Sequence, residues 1–140
     1  MGSKNKLKRF RENDTFSNVI QPTREEVLEG FSKKGKWQTF FNNNNPIVLE
    51  LGCGKGEYTI ALARKNPKIN YIGIDLKGAR FWRGAKTALE ENLTNVAFIR
   101  TQIELIDLLF AENEVTEIWI TFPDPQIKYT RTKHRLTNAE

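Results

Sequence analysis

From residue 47 onward, short continuous apolar runs alternate with longer stretches in which apolar residues recur every three or four positions. Residues 47–51, 71–75, 96–101 and 117–122 have the length and β-branched or aromatic content of strands, whereas 57–66, 78–93 and 103–111 carry helical spacing. Strands that alternate with helices of about ten to fifteen residues run parallel, joined by right-handed crossovers. The pattern therefore predicts an α/β chain with a mainly parallel, Rossmann-like sheet and helices on both faces. Upstream, Thr23-Arg24-Glu25-Glu26 follows Pro22 with the spacing of a capping box and predicts a helix with Val27, Leu28 and Phe31 on its apolar side. The run Asn42 to Pro46 reads as a loop. One domain is expected, with 1–46 as a basic N-terminal arm plus a helical appendage and 47–140 as the sheet core. Thr137-Asn138-Ala139-Glu140 is a second capping box, which predicts a helix reaching past the last residue and a sheet lacking its C-terminal strands.

Composition removes several classes. The 140 residues are 39% hydrophobic and 28% charged, with a mean hydropathy of -0.56 and no apolar run near the roughly 18 residues that a membrane span needs. The opening residues have no signal-peptide core, so the expected compartment is the cytoplasm. One cysteine, Cys53, and one histidine, His134, can build neither an internal disulfide nor a Cys/His zinc site, and no metal is expected.

Charge is distributed unevenly. Lys4, Lys6, Lys8, Arg9 and Arg11 fall in the first eleven residues without an acid, and Lys128, Arg131, Lys133 and Arg135 face only Glu140 in the last fifteen. The formal charge of +5 lies in these ends, since the intervening chain carries a slight excess of acids. Clustered Lys and Arg neutralise phosphates and release counterions, so the ends suit RNA, DNA or an anionic membrane surface, and the second cluster's place beside a candidate site favours nucleic acid. Arg80, Trp82 and Arg83 on the helix 78–93 read as packing with a solvated charged face.

The chemistry begins at Leu49-Glu50-Leu51-Gly52-Cys53-Gly54-Lys55-Gly56, directly after the first strand of the alternating region. Glycine permits a sharp turn and close approach of a ligand to the backbone. The spacing G-x-G-x-G matches neither the dinucleotide fingerprint nor the phosphate-binding P-loop. Glu50 would repel a pyrophosphate and attract an ammonium or sulfonium, and Asp75, ending the next strand, is placed to hold a ribose diol. An adenosine ligand that carries positive charge and no phosphate satisfies both acids. Cys53 and Lys55 occupy variable positions of the turn and read as a packed thiol and a solvated amine.

At these residues the chain resembles class I methyltransferases that use S-adenosylmethionine, whose first motif is hydrophobic-Glu-hydrophobic-Gly-x-Gly-x-Gly with an acid ending the following strand. The resemblance implies that Glu50 orients the methionine amino group, that Gly52, Gly54 and Gly56 floor the pocket and that Asp75 binds the ribose. Further on, Phe122-Pro123-Asp124-Pro125, with Lys128, Lys133, Arg135, Leu136 and Thr137, and the opening Gly2 to Leu7, resemble the bacterial tRNA (guanine-N7)-methyltransferases. That likeness implies methyl transfer from S-adenosylmethionine to N7 of a guanosine in the tRNA variable loop. Asp124 would be the catalytic and substrate-binding acid, accepting hydrogen bonds from the guanine edge and favouring the cationic product; Lys128 would meet a phosphate or the substrate edge. Gln102 stands where the family often has an aspartate for the adenine amino group, and Gln126-Ile127 replaces a common Trp-Pro. A class I methyltransferase with another substrate and a non-catalytic RNA-binding remnant are the alternatives. The basic ends count against the first, and the intact Glu50 and Asp75 against the second.

Overall fold

The computed structural model describes residues 3–121 and 129–132. Its elements are α1 (Ser3–Asn13), β1 (Val19–Ile20), α2 (Arg24–Gly30), α3 (Trp37–Phe41), β2 (Ile47–Leu51), α4 (Glu57–Lys65), β3 (Asn70–Asp75), α5 (Gly78–Glu90), β4 (Val96–Arg100), a 3-10 helix (Ile103–Leu108), β5 (Glu117–Thr121) and β6 (Tyr129–Thr132). The sheet order is β1-β4-β3-β2-β5-β6. Strands β1 to β5 pair in parallel, and β6 runs antiparallel to β5 with Tyr129 opposite Thr121. Strand order reverses at β2, whose carboxyl end is the switch point at which such sheets bind ligands.

Period-two alternation sorts the strand side chains into two cores. Ile47, Leu49 and Leu51 of β2, with Ile72, Ile74, Ala97, Ile99 and Ile118, face α2, α3 and the segment after the 3-10 helix. Val48, Tyr71, Val96 and Phe98 face α4 and α5, where Ile60, Ala63, Phe81, Ala85 and Ala88 meet them. Helices cover both faces, as expected of an α/β sheet whose strands are apolar on both sides.

Several elements depart from the sequence reading. The basic opening segment forms α1 and packs on α5: Glu12 accepts from the indole Nε1 of Trp82 at 2.8 Å, and buried Asn13 donates Nδ2 to the Gly78 carbonyl at 3.0 Å. Local periodicity could not show this, because the helix docks through a few polar contacts and has little apolar face of its own. Val19 and Ile20 add a short strand beside β4, so the sheet also draws on the first 46 residues. Residues 103–111 form only a six-residue 3-10 helix, after which Leu109 and Phe110 turn into the core and are fully buried. In α2 the capping box forms as read, with Thr23 Oγ1 accepting from Glu26 N at 3.1 Å and Glu26 Oε1 accepting from Thr23 N at 2.8 Å. Val27 and Phe31 are buried but Leu28 is 53% exposed, since a seven-residue helix presents only a narrow contact stripe. No helix formed by the described residues is long and apolar enough to cross a membrane.

Candidate functional site

Gly52, Gly54 and Gly56 all have positive φ, at 71°, 57° and 78°, which is why every second residue of the β2–α4 turn is glycine. The turn hangs on the end of β3: Gly52 N and Cys53 N both donate to the Ile74 carbonyl, at 2.7 and 3.1 Å. Close approach adds a second constraint at Gly56. A Cβ there would lie 2.7 Å from the Phe98 ring, and one at Gly84 on α5 would lie 2.9 Å from the Lys55 carbonyl. The turn thus rests against Phe98 and α5 with no space for a side chain between them.

The two acids frame this turn. Glu50 is 5% exposed, on β2, opposite Gly73 of β3 and Trp119 of β5, and its Oε1 accepts the hydroxyl hydrogen of Thr59 on α4. Burying a carboxylate in the middle of a sheet carries a large desolvation cost, and hydrogen bonds or a cation must offset it. Asp75 ends β3 on the same face and accepts from two backbone amides: Gly54 N to Oδ2 and Lys77 N to Oδ1, both at 2.9 Å. A carboxylate has about four acceptor sites, so two further hydrogen bonds, the number a ribose diol donates, can be added. Structure therefore brings Glu50, Gly52, Gly54, Gly56 and Asp75 together at one edge of the sheet.

Gln102 follows β4 at the same edge. Its Oε1 accepts from Arg24 Nη1 at 2.8 Å, and because a guanidinium only donates, that contact fixes which way the amide points. Asp124 and Lys128 lie outside the described residues. Leu51 pairs with Ile120, however, so the chain leaves β5 at the edge where the glycine turn leaves β2. Thr59, through its bond to Glu50, is a residue of the candidate site that the sequence reading missed. Its signal was a hydroxyl on the buried face of α4, flanked by Ile60 and Ala63.

Cys53 is buried in the turn, and its thiol is pushed well above the usual range, first by burial and then by the negative charges of Glu50 and Asp75. It should be inert, since the thiolate is the reactive form. We expect the native chain at pH 8 to react with a thiol-specific disulfide reagent at least about a hundredfold more slowly than the urea-unfolded chain. Equal rates would show that the turn is open to solvent. Among the described residues no group of three or more His, Cys, Asp or Glu side chains is placed to hold a metal ion.

Comparison with known proteins gives this arrangement a context. The chain is 75% identical over 142 residues to a tRNA (guanine-N(7)-)-methyltransferase of Christiangramia forsetii, an alignment that covers 100% of this chain and 63% of the relative. It is 57% identical over 130 residues to the protein of the same name from Porphyromonas gingivalis, covering 90% of this chain and 52% of that one. The chain thus spans between half and two thirds of the length of these relatives. Among solved structures, an antibiotic-related methyltransferase superposes with a TM-score of 0.54 at 22% identity, over 66% of this chain and 47% of its own. That likeness establishes the fold. A family profile described as "Putative methyltransferase" matches residues 44–140, more than half of the chain and all of the glycine turn and its acids. The chain belongs to this methyltransferase family.

Proposed function

We propose that this chain takes part in methyl transfer from S-adenosylmethionine to N7 of a guanosine in the variable loop of tRNA. The observation that carries the reading is the pair of acids on neighbouring strands, Glu50 and Asp75, with the positive-φ turn Gly52 to Gly56 between them. The residues fit that cofactor by their chemistry. Glu50 supplies negative charge for an ammonium in a buried position, Asp75 retains acceptor capacity for a diol, and Gly54 leaves open space where a side chain would otherwise stand. The tRNA substrate rests on the names of relatives up to 75% identical and on the basic ends of the chain. The substrate in turn assigns the protein to the cytoplasm.

When bound, the cofactor supplies a methyl group on a positively charged sulfur, an electrophile that guanine N7 can attack with its free lone pair. No proton has to move, so the protein needs no general base. Its work is alignment and exclusion of water. Asp75 and the turn fix the adenosine end, and Glu50 fixes the amino-acid end. Asp124, following β5, is assigned to the guanine edge, where its charge favours the positive ring that methylation creates; Lys128 is assigned to a phosphate, and Gln102 to the adenine. Asp124→Asn is expected to lower turnover about ten- to a hundredfold while leaving cofactor affinity unchanged, because the amide keeps an acceptor and loses the charge. A parallel loss of cofactor affinity, measured by calorimetry, would move Asp124 into the cofactor site.

The reading as a whole is tested by incubating the protein extended to the length of its relatives with labelled S-adenosylmethionine and bulk tRNA, then digesting the RNA and identifying the modified nucleoside by mass; residues 1–140 alone, which span 63% of the Christiangramia forsetii relative, are expected to give little product. N7-methylguanosine is the expected product. Label on another atom, or on protein in place of RNA, would replace the substrate assignment with that of a different class I methyltransferase.

A further inference from the structure

Next to Asp75 in the chain, α1 and the start of α5 line an open cavity of about 450 Å³. Its walls include Lys6 and Phe10 from α1, Leu76, Lys77 and Arg80 around the first turn of α5, and Arg100 from the end of β4. Four of these six side chains are cationic. None of the four forms an ion pair with a carboxylate among the described residues. The apolar members are held out to solvent, Phe10 at 38% and Leu76 at 50% exposure, and the Arg100 guanidinium lies 4.8 Å from the centre of the Phe10 ring.

Uncompensated positive charge around a concave apolar floor selects a ligand with a flat apolar face and negative charge at its margin. An unpaired nucleotide has that form: the base stacks on an aromatic ring or a guanidinium plane, and the flanking phosphates meet Lys and Arg. The same charges would penalise a cationic ligand, so the cavity is electrostatically unlike the acidic position around Glu50. The first turn of α5 adds no acid to this lining, and the carboxylate just ahead of it, Asp75, is engaged by Gly54 N and Lys77 N.

We propose that this cavity is a docking site for an unpaired nucleotide of the substrate RNA, with Phe10 stacking on its base and Lys6, Lys77 and Arg80 meeting its phosphates. The inference rests on the tRNA reading and adds a contact outside the cofactor pocket. It also gives the docking of α1 on α5 a function, because the cavity exists only when the basic segment is folded as a helix against Lys77 and Arg80. Arg100, already stacked on Phe10, holds the ring in place to receive the base.

The test measures binding of fluorescently labelled tRNA to the full 140-residue chain over a range of salt concentrations, together with calorimetric affinity for S-adenosylhomocysteine. Phe10→Leu, which keeps apolar bulk and removes the π face, is expected to weaken RNA binding about five- to a hundredfold, with Phe10→Tyr near the parent value. Lys6→Ala combined with Arg80→Ala is expected to flatten the slope of log affinity against log salt by about 1.4 to 1.8. Affinity for S-adenosylhomocysteine should be unchanged in all three. Parent-like RNA binding by Phe10→Leu, or an unaltered slope in the double variant, overturns the proposal while leaving the tRNA reading in place. Loss of S-adenosylhomocysteine affinity in Phe10→Leu would show that the cavity serves the cofactor and overturns it too. If the parent chain shows no salt-dependent tRNA binding, the substrate reading falls, and this inference with it.

Discussion

Replacing Trp37 with alanine is expected to remove about 3 to 5 kcal/mol of stability, the range found when a large aromatic is deleted from a packed core. Trp37 is fully buried at the start of the five-residue α3 and is surrounded by other rings. Phe110 stacks on it at 5.3 Å between centroids, Phe40 meets it edge-on at 5.4 Å, and Phe31 and Phe41 lie at 6.1 and 6.4 Å. Its indole Nε1 donates to the Leu109 carbonyl at 2.9 Å, so truncation also leaves a buried acceptor unpaired. For a domain whose total stability is about 5 to 15 kcal/mol, that loss is a large share, equivalent to roughly 10 to 15 °C in melting temperature. Trp37→Phe should recover part of it, since it keeps one ring and loses the hydrogen bond and the bulk of the second ring, and Leu28→Ser, on an exposed position, should change stability by about 0.5 kcal/mol or less. A melting temperature for Trp37→Ala within a few degrees of the parent would mean that this aromatic cluster is not a core.

The largest expected effect on binding is at Asp75. Asp75→Ala removes the charge-assisted contact to a ribose diol, about 1.5 to 3 kcal/mol, or roughly ten- to a hundredfold in affinity for S-adenosylhomocysteine. It also removes the acceptor for Gly54 N and Lys77 N, so the glycine turn loses one of its three bonds to the end of β3, those to the Ile74 carbonyl remaining, and the upper part of that range is expected. Asp75→Asn separates the two effects: its amide oxygen can still accept one backbone bond, while the charge is gone. Calorimetry on chains with parent-like circular dichroism is the measurement. An Asp75→Ala chain that is folded and binds with parent affinity would remove the ribose from this carboxylate and the cofactor from this turn.

Sheet strands β2 to β5 and helices α4 and α5 were legible because each announces itself within a few residues. Ile47 to Leu51 is apolar at nearly every position, and α5 repeats small and aromatic residues on one side, among them Phe81, Trp82, Ala85 and Ala88, which are all buried. What failed to show was structure stabilised from outside the segment. α3 is too short to generate a helical pattern, and it exists because Trp37 and Phe41 fill the space left by Phe110, while the Glu114 carboxylate accepts from Gly35 N and Trp37 N at 3.0 and 3.1 Å. The two residues of β1 are strand only because Asn18 O accepts from Phe98 N at 2.8 Å and β4 offers an edge.

The same division runs through the candidate site. Order along the chain determined its chemistry: an acid inside a strand, three glycines at alternate positions and an acid at the end of the next strand are local features, and parallel strands joined by right-handed crossovers leave their carboxyl ends on one edge. Tertiary structure alone decided what each of these residues rests on. Thr59 reaches Glu50 from nine residues away, Phe98 closes the space above Gly56, and Arg24 comes from α2 to turn the Gln102 amide. The basic opening segment changed most, from an arm to a helix carrying Phe10 and Lys6 to the rim beside Asp75. The physical reason is common to all of them. Backbone conformation and strand order follow from short-range sterics and periodicity, whereas a side chain's partner is set by packing between segments distant in sequence, which no local pattern encodes.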